Sequence, residues 1–190
     1  MTVTGTNTAD QATHTKLAQV LAALEAAGTD KVRQRNARLG SGANQFGTRM
    51  GDVRKVAGRH GRDHELALAL WETGNLEARL VATLVVRPQE LSATELSAWV
   101  AAADFPQLAD WLNSHVVKAH PAADAHREAW MESPDAWTAR AGWSLTAGRV
   151  ARDPAGLDLP ALLARLERDL AAAPTPAQWT MNACLAAIGI

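Results

Sequence analysis

The sequence predicts an all-α domain, an α-α superhelix of stacked antiparallel helix pairs, and three observations predict it. Apolar residues recur with helical spacing along most of the chain, no stretch alternates as a strand would, and the helical segments are joined by brief polar turns. Helices of about 10 to 16 residues, in a chain too long for one four-helix bundle, favour stacked pairs, although no exact sequence repeat is visible. At 190 residues, 47% hydrophobic and 21% charged, the chain has the material for one core. The expected layout is a disordered tail over residues 1–12 and a single solenoid domain over 13–190.

Taken in order, Leu17, Val20, Leu21 and Leu24 share one face of a helix over about 12–27 that stops at Gly28. Less marked helices are expected near 31–39 and 51–60. Asp63 to Thr73, with Leu66, Leu68, Leu70 and Trp71, ends at Gly74, after which Asn75 caps a helix through Val86 that Pro88 closes. Ser92-Ala-Thr-Glu95 is a capping box, in which hydroxyl and carboxylate each satisfy a free N–H at a helix start. Later starts are marked by proline in Asp104-Phe-Pro106, Ser133-Pro134 and Thr175-Pro176, where a missing N–H costs nothing. With helices near 121–131 and 158–172, the total is roughly ten or eleven. The chain ends on an apolar run, Met181 to Ile190, where a solenoid end wants a polar outer face. Either a further segment follows it or this end packs inward or on another subunit.

Composition excludes several functions. No basic segment leads into an apolar run at the N-terminus, and no stretch is apolar over the roughly 18 to 20 residues that span a bilayer, so a soluble, cytoplasmic protein is expected. The one cysteine, Cys184, lies among Ala183, Leu185 and Ala186, a setting for burial rather than thiol catalysis. Among the six histidines, His60 and His64 have i, i+4 spacing, but Gly61 and the cap Asp63 intervene, so no metal site is expected. No glycine-rich phosphate loop or Gly-x-Ser-x-Gly elbow is present.

Net charge is −1, yet residues 1–62 carry ten Lys and Arg against four Asp and Glu. Lys31, Arg33, Arg35, Arg38, Arg49, Arg54, Lys55, Arg59 and Arg62 are opposed only by Asp52 over that stretch. This reads as a phosphate-binding stripe or as a solvated helical face. Seven tryptophans with two phenylalanines and no tyrosine form the aromatic set, and most of these indoles are expected between helix pairs.

Longer motifs carry a resemblance. Phe46-Gly-Thr-Arg-Met-Gly-Asp-Val-Arg-Lys55, His64-Glu-Leu-Ala-Leu-Ala-Leu-Trp71, Thr73-Gly-Asn-Leu-Glu-Ala-Arg79, Arg140-Ala-Gly-Trp143 and Met181-Asn182 resemble, in order and spacing, the DNA alkylation repair proteins of AlkD type. The resemblance runs from about residue 15 to the end. It implies a HEAT-like superhelix with a basic concave face for duplex DNA and, in active members, a glycosylase for alkylated, cationic purines, with no metal or organic cofactor. The chemistry is self-consistent: a purine alkylated at N3 or N7 leaves as a neutral base without a general acid, while positive charge develops on the sugar. A carboxylate beside that sugar stabilises the oxocarbenium-like transition state, and an aromatic face on the deoxyribose adds a cation–π contact.

By the same resemblance Asp110 is the catalytic acid and Arg140 the adjacent cation. Arg38, Arg49, Arg54 and Lys55 are placed on phosphates, and Trp143 and Trp179 against DNA. The chain departs from the pattern four residues before Asp110, where active members carry tryptophan and this one has Pro106, so Phe105 or Trp111 would have to substitute. Asp110 also reads as a solvated helix carboxylate, and Arg140 as an ion-pair partner, even of Asp110. The alternatives to a glycosylase are a non-catalytic HEAT-like module for DNA or protein and a purely protein-binding scaffold.

Overall fold

The structure, a computed structural model, describes residues 4–189, with side chains from residue 8. Eleven α-helices occur among them, with short 3-10 turns at Pro88–Glu90 and Val117–Ala119 and one isolated bridge, Gly28 to Thr48, as the only β pairing among the described residues. The residues fall into two compact units that meet in sequence at Glu90 and Leu91.

The first unit holds α1 (Thr4–Ala26), α2 (Asp30–Arg38), α3 (Met50–Gly58), α4 (His64–Glu72) and α5 (Leu76–Val85). Helix α1 starts at Thr4, earlier than the tail expected over 1–12; residues 1–3 lie outside the described residues. Val20 and Leu24 of its predicted stripe are buried, and α1 packs on α3, α4 and α5. Helices α4 and α5 form an antiparallel pair: Gly74 turns the chain at φ +65°, and the Asp63 N–H at the start of α4 donates to the Val85 carbonyl at the end of α5. Asp63 caps α4 and accepts from Lys16 at 2.7 Å. Burial alone would raise its pKa, but the Lys16 bond and the Leu66 N–H outweigh it and hold the carboxyl below its usual range.

Two of the longer motifs meet in a buried carboxylate. Glu77, fully buried on α5, accepts the N–H groups of Phe46, Gly47 and Thr48 at 2.8–3.1 Å. Thr48 Oγ1 donates to the Leu24 carbonyl, and the Thr29 N–H donates to that of Gly47, so this loop ties α1, α2 and α5 together. Gly47 lies at φ +76°, and a Cβ there would meet the Thr29 carbonyl at 2.6 Å. Arg79 lays its guanidinium over the Trp71 ring, 5.0 Å from the centroid, while its Nε donates to the Trp71 carbonyl.

The second unit holds α6 (Ala93–Ala101), α7 (Pro106–His115), α8 (Ala123–Met131), α9 (Ala136–Arg152), α10 (Leu159–Asp169) and α11 (Thr175–Ile188). The Ser92–Glu95 capping box forms as expected. Pro106 is the first residue of α7, whereas Pro134 stands outside α9, which Asp135 caps through the Thr138 N–H. Helix α9 is central and packs on α8, α11, α6 and α7. At its crossing with α8, Gly142 lets the backbones touch: a Cβ would lie 2.7 Å from the Trp130 carbonyl carbon and collide with the Met131 nitrogen. Beside it Met131, Trp143, Leu166, Met181 and Cys184 form the core of this end.

Candidate functional site

Helix α7 begins at Pro106 and carries Asp110 one turn later; α9 brings Arg140 against it. Arg140 Nη2 donates to Asp110 Oδ1 at 2.6 Å, and Nη1 donates to the Pro176 carbonyl at 3.0 Å. The two partners differ in setting, since the Arg140 side chain is 7% exposed and that of Asp110 is 55% exposed. A buried guanidinium therefore fixes one carboxylate oxygen while the acid stays open to solvent, and the same guanidinium reaches the first turn of α11.

Asp110 and Arg140 line a cavity of about 10 Å³ together with Trp137, Asn113 and Ser144. That is near the minimum for one water. Asn113 donates to Ser144 Oγ at 2.7 Å, and its Oδ1 is buried without a hydrogen-bond partner. Trp137, three residues before Arg140 on α9, is half-buried. Neither Phe105 nor Trp111 supplies the aromatic missing at Pro106, because both are buried in the core. Sequence spacing points only to neighbours on α7, whereas the indole at the cavity comes from α9.

Trp143 requires a correction. It is 2% exposed, packed in the core with the Arg165 guanidinium 5.1 Å from its ring centroid, and presents no open ring face to DNA. Trp179, by contrast, is 70% exposed and lies one turn beyond Pro176. Trp71, Trp99, Trp111 and Trp130 are buried as expected.

In the first unit the basic stretch divides. Arg38 and Arg49 are exposed and share one cleft with Lys31, Arg35 and Gln34. Arg54 lies with Arg62 on a second cleft, and Lys55 is ion-paired to Asp52 at 3.0 Å. Arg33 and Arg62 are drawn into the fold instead, donating to the carbonyls of Phe46 and Val86.

Burial pushes the Cys184 thiol up to about 11, against the pull of Arg127, so it is no thiolate nucleophile near neutral pH. Among the described residues no three His, Cys, Asp or Glu side chains cluster as metal ligands, and no helix is long and apolar enough to cross a membrane.

Comparison with known proteins agrees in one direction. Residues 19–190 match the family described as DNA alkylation repair enzyme. The uncharacterized protein Lin0241 of Listeria innocua serovar 6a is 28% identical over 174 residues, covering 90% of this chain and 75% of that one. Lmo0209 of Listeria monocytogenes serovar 1/2a, also described as uncharacterized, is 26% identical over the same shares. A solved structure, described as a new family of proteins related to the HEAT-like repeat DNA glycosylases with affinity for branched DNA structures, has a TM-score of 0.80 at 22% identity. It covers 92% of this chain and 76% of its own, a likeness of fold.

Proposed function

This chain belongs to the DNA alkylation repair enzyme family, and on that footing we propose that it binds duplex DNA and hydrolyses the N-glycosidic bond of cationic alkylated purines at Asp110. The observation that carries the reading is the Asp110–Arg140 pair, an exposed carboxylate held in one orientation by a buried guanidinium. A fixed anion beside the sugar stabilises charge that appears only as the base departs, with little reorganisation at that moment. Arg140 holds the acid in place, Trp137 supplies an indole at the cavity, and Trp179 offers an exposed one a turn from the Arg140–Pro176 contact. Arg38, Arg49, Arg54 and Lys55 are assigned to phosphates, which positions DNA without reading its sequence. The chemistry calls on no metal or organic cofactor, and the assigned place of action is the cytoplasm.

Single-turnover release of 7-methylguanine and 3-methyladenine from methylated duplex tests this, with Asp110→Asn beside the unaltered protein. A fall of tenfold or more, about 1.4 kcal/mol of transition-state stabilisation, is expected. Equal release by both would remove Asp110 from the chemistry.

One observation favours a second reading, a non-catalytic DNA-binding module: proline stands at position 106, where the resemblance calls for an indole. No release, with retained binding to duplex or to a four-way junction, would select it. The junction enters because the structural neighbour is described as having affinity for branched DNA.

A further inference from the structure

Asp110 and Arg140 form one of two polar rungs between α7 and α9. Asn113 stands three residues beyond Asp110 and Ser144 four beyond Arg140, spacings that put each pair of side chains on one helical face. The second rung is the 2.7 Å bond from Asn113 Nδ2 to Ser144 Oγ. All four residues line the same cavity, with Val100, Leu112 and Val117 in its apolar wall.

The second rung is incomplete. Asn113 is 8% exposed, and its Oδ1 is buried with no hydrogen-bond partner among the described residues. Turning the amide over would only exchange an unpaired carbonyl for an unpaired NH2, so a buried amide in either orientation calls for one more partner. The cavity decides what that partner is. About 10 Å³ holds nothing larger than a water, the Arg140 guanidinium disfavours a metal or ammonium cation, and polar groups in the wall set the site apart from the apolar cavities that stay dry. Arg140 uses two of its five N–H donors on Asp110 and Pro176, so the guanidinium has donors left for a water's oxygen.

We propose that one fixed water is bound in this cavity, donating to Asn113 Oδ1 and accepting from Arg140, and that Asn113 is thereby a positioning residue for the Asp110–Arg140 pair. This water belongs to the scaffold and is not the one consumed by hydrolysis. It gives the guanidinium a third tether beside the Asp110 carboxylate and the Pro176 carbonyl, so that the acid is aimed by a group that cannot turn. The effect of Asn113 on excision rests on the function proposed above; the water and its tether do not.

The water is sought first, in a crystal structure of the unaltered chain sharp enough to show ordered solvent. Density about 2.7–3.2 Å from Asn113 Oδ1 is expected, and a cavity without it overturns the proposal. Positioning is then read without DNA, from the exchange of the Arg140 guanidinium protons with solvent by NMR. Asn113→Leu, similar in volume but with no acceptor, is expected to speed that exchange at least about tenfold while the backbone amides of α9 keep their rates. Asn113→Asp, which retains an acceptor, should return it most of the way. On methylated duplex, Asn113→Leu should lower single-turnover release at least about tenfold with duplex affinity within about twofold, a loss in the chemical step alone. If Asn113→Leu fails to fold, Ser144→Ala, which suits a helix and frees the amide to turn, takes its place, with at least about a threefold acceleration expected. Unchanged Arg140 exchange in a folded variant overturns the positioning role even with the water present, and so does exchange that quickens throughout α9. Unchanged release by a variant of a protein that does excise overturns it as well. Faster Arg140 exchange in a protein that releases no base would sink only the glycosylase.

Discussion

Glu77 shows what a single side chain settles in this protein. A carboxylate that accepts three backbone N–H groups in the interior replaces three hydrogen bonds to water at once, and any substitution leaves donors unpaired at about 1–3 kcal/mol each. Glu77→Gln, nearly isosteric, turns an amide NH2 towards at least one of those donors. We expect it to lower stability by about 2–4 kcal/mol, read as a shift of the urea midpoint at constant slope; a shift under about 0.5 kcal/mol would mean that the loop pairs elsewhere. The motif around Glu77 is visible in the sequence, but the task of its acid is not, since the partners lie some thirty positions away. The same limit governs the candidate site residues. Asp110 and Arg140 are legible through the resemblance and meet in space, whereas the expectation of a DNA contact at Trp143 fails because a sequence does not say which side of α9 faces the core. Trp137 carries no sequence signal for the same reason, being one indole among seven until the fold sets it beside the cavity.

Among the helices, most starts and stops can be read directly, because caps and breakers act within a turn of the residue that carries them: Ser92 with Glu95, Asn75, Asp63 and Pro106 all do so. What cannot be read is closeness between elements. Gly142 looks like a weakness in a helix, yet it is where α9 touches the backbone of α8. Helix propensity favours Gly→Ala by about 1 kcal/mol, but a methyl forced into rigid backbone costs about 1–3 kcal/mol or more, so packing wins. Gly142→Ala should destabilise the protein by about 2 kcal/mol in thermal or urea unfolding. Gly51→Ala, on α3 where a Cβ meets nothing within 4 Å, should be neutral or stabilising by up to about 1 kcal/mol. If the two behaved alike, the tight crossing would not be the cause.

Across the whole chain, the stretch ending at Glu90 holds twelve Lys and Arg against nine Asp and Glu, and the rest holds seven against eleven. A formal charge near zero thus conceals ends of opposite sign, and residues 1–90 are the better partner for a polyanion. The tryptophans are distributed as unevenly, with Trp71 in the first unit and six in the second. Indole fluorescence therefore reports mainly on residues 91–190, while far-ultraviolet dichroism reports on both units. We propose that residues 13–190 melt as one domain, so that the two signals coincide in urea; separate midpoints would establish independently melting units. The buried carboxylate at 77 has a consequence for how relatives of this chain are recognised. A signature built on Phe-Gly-Thr and Leu-Glu-Ala-Arg selects for a scaffold, because what those residues do is hold a loop, and sequences gathered by it are gathered for that loop and not for base excision. Sorting such a collection by chemistry calls for a separate key, which under the proposed function is drawn from positions 106, 110 and 140.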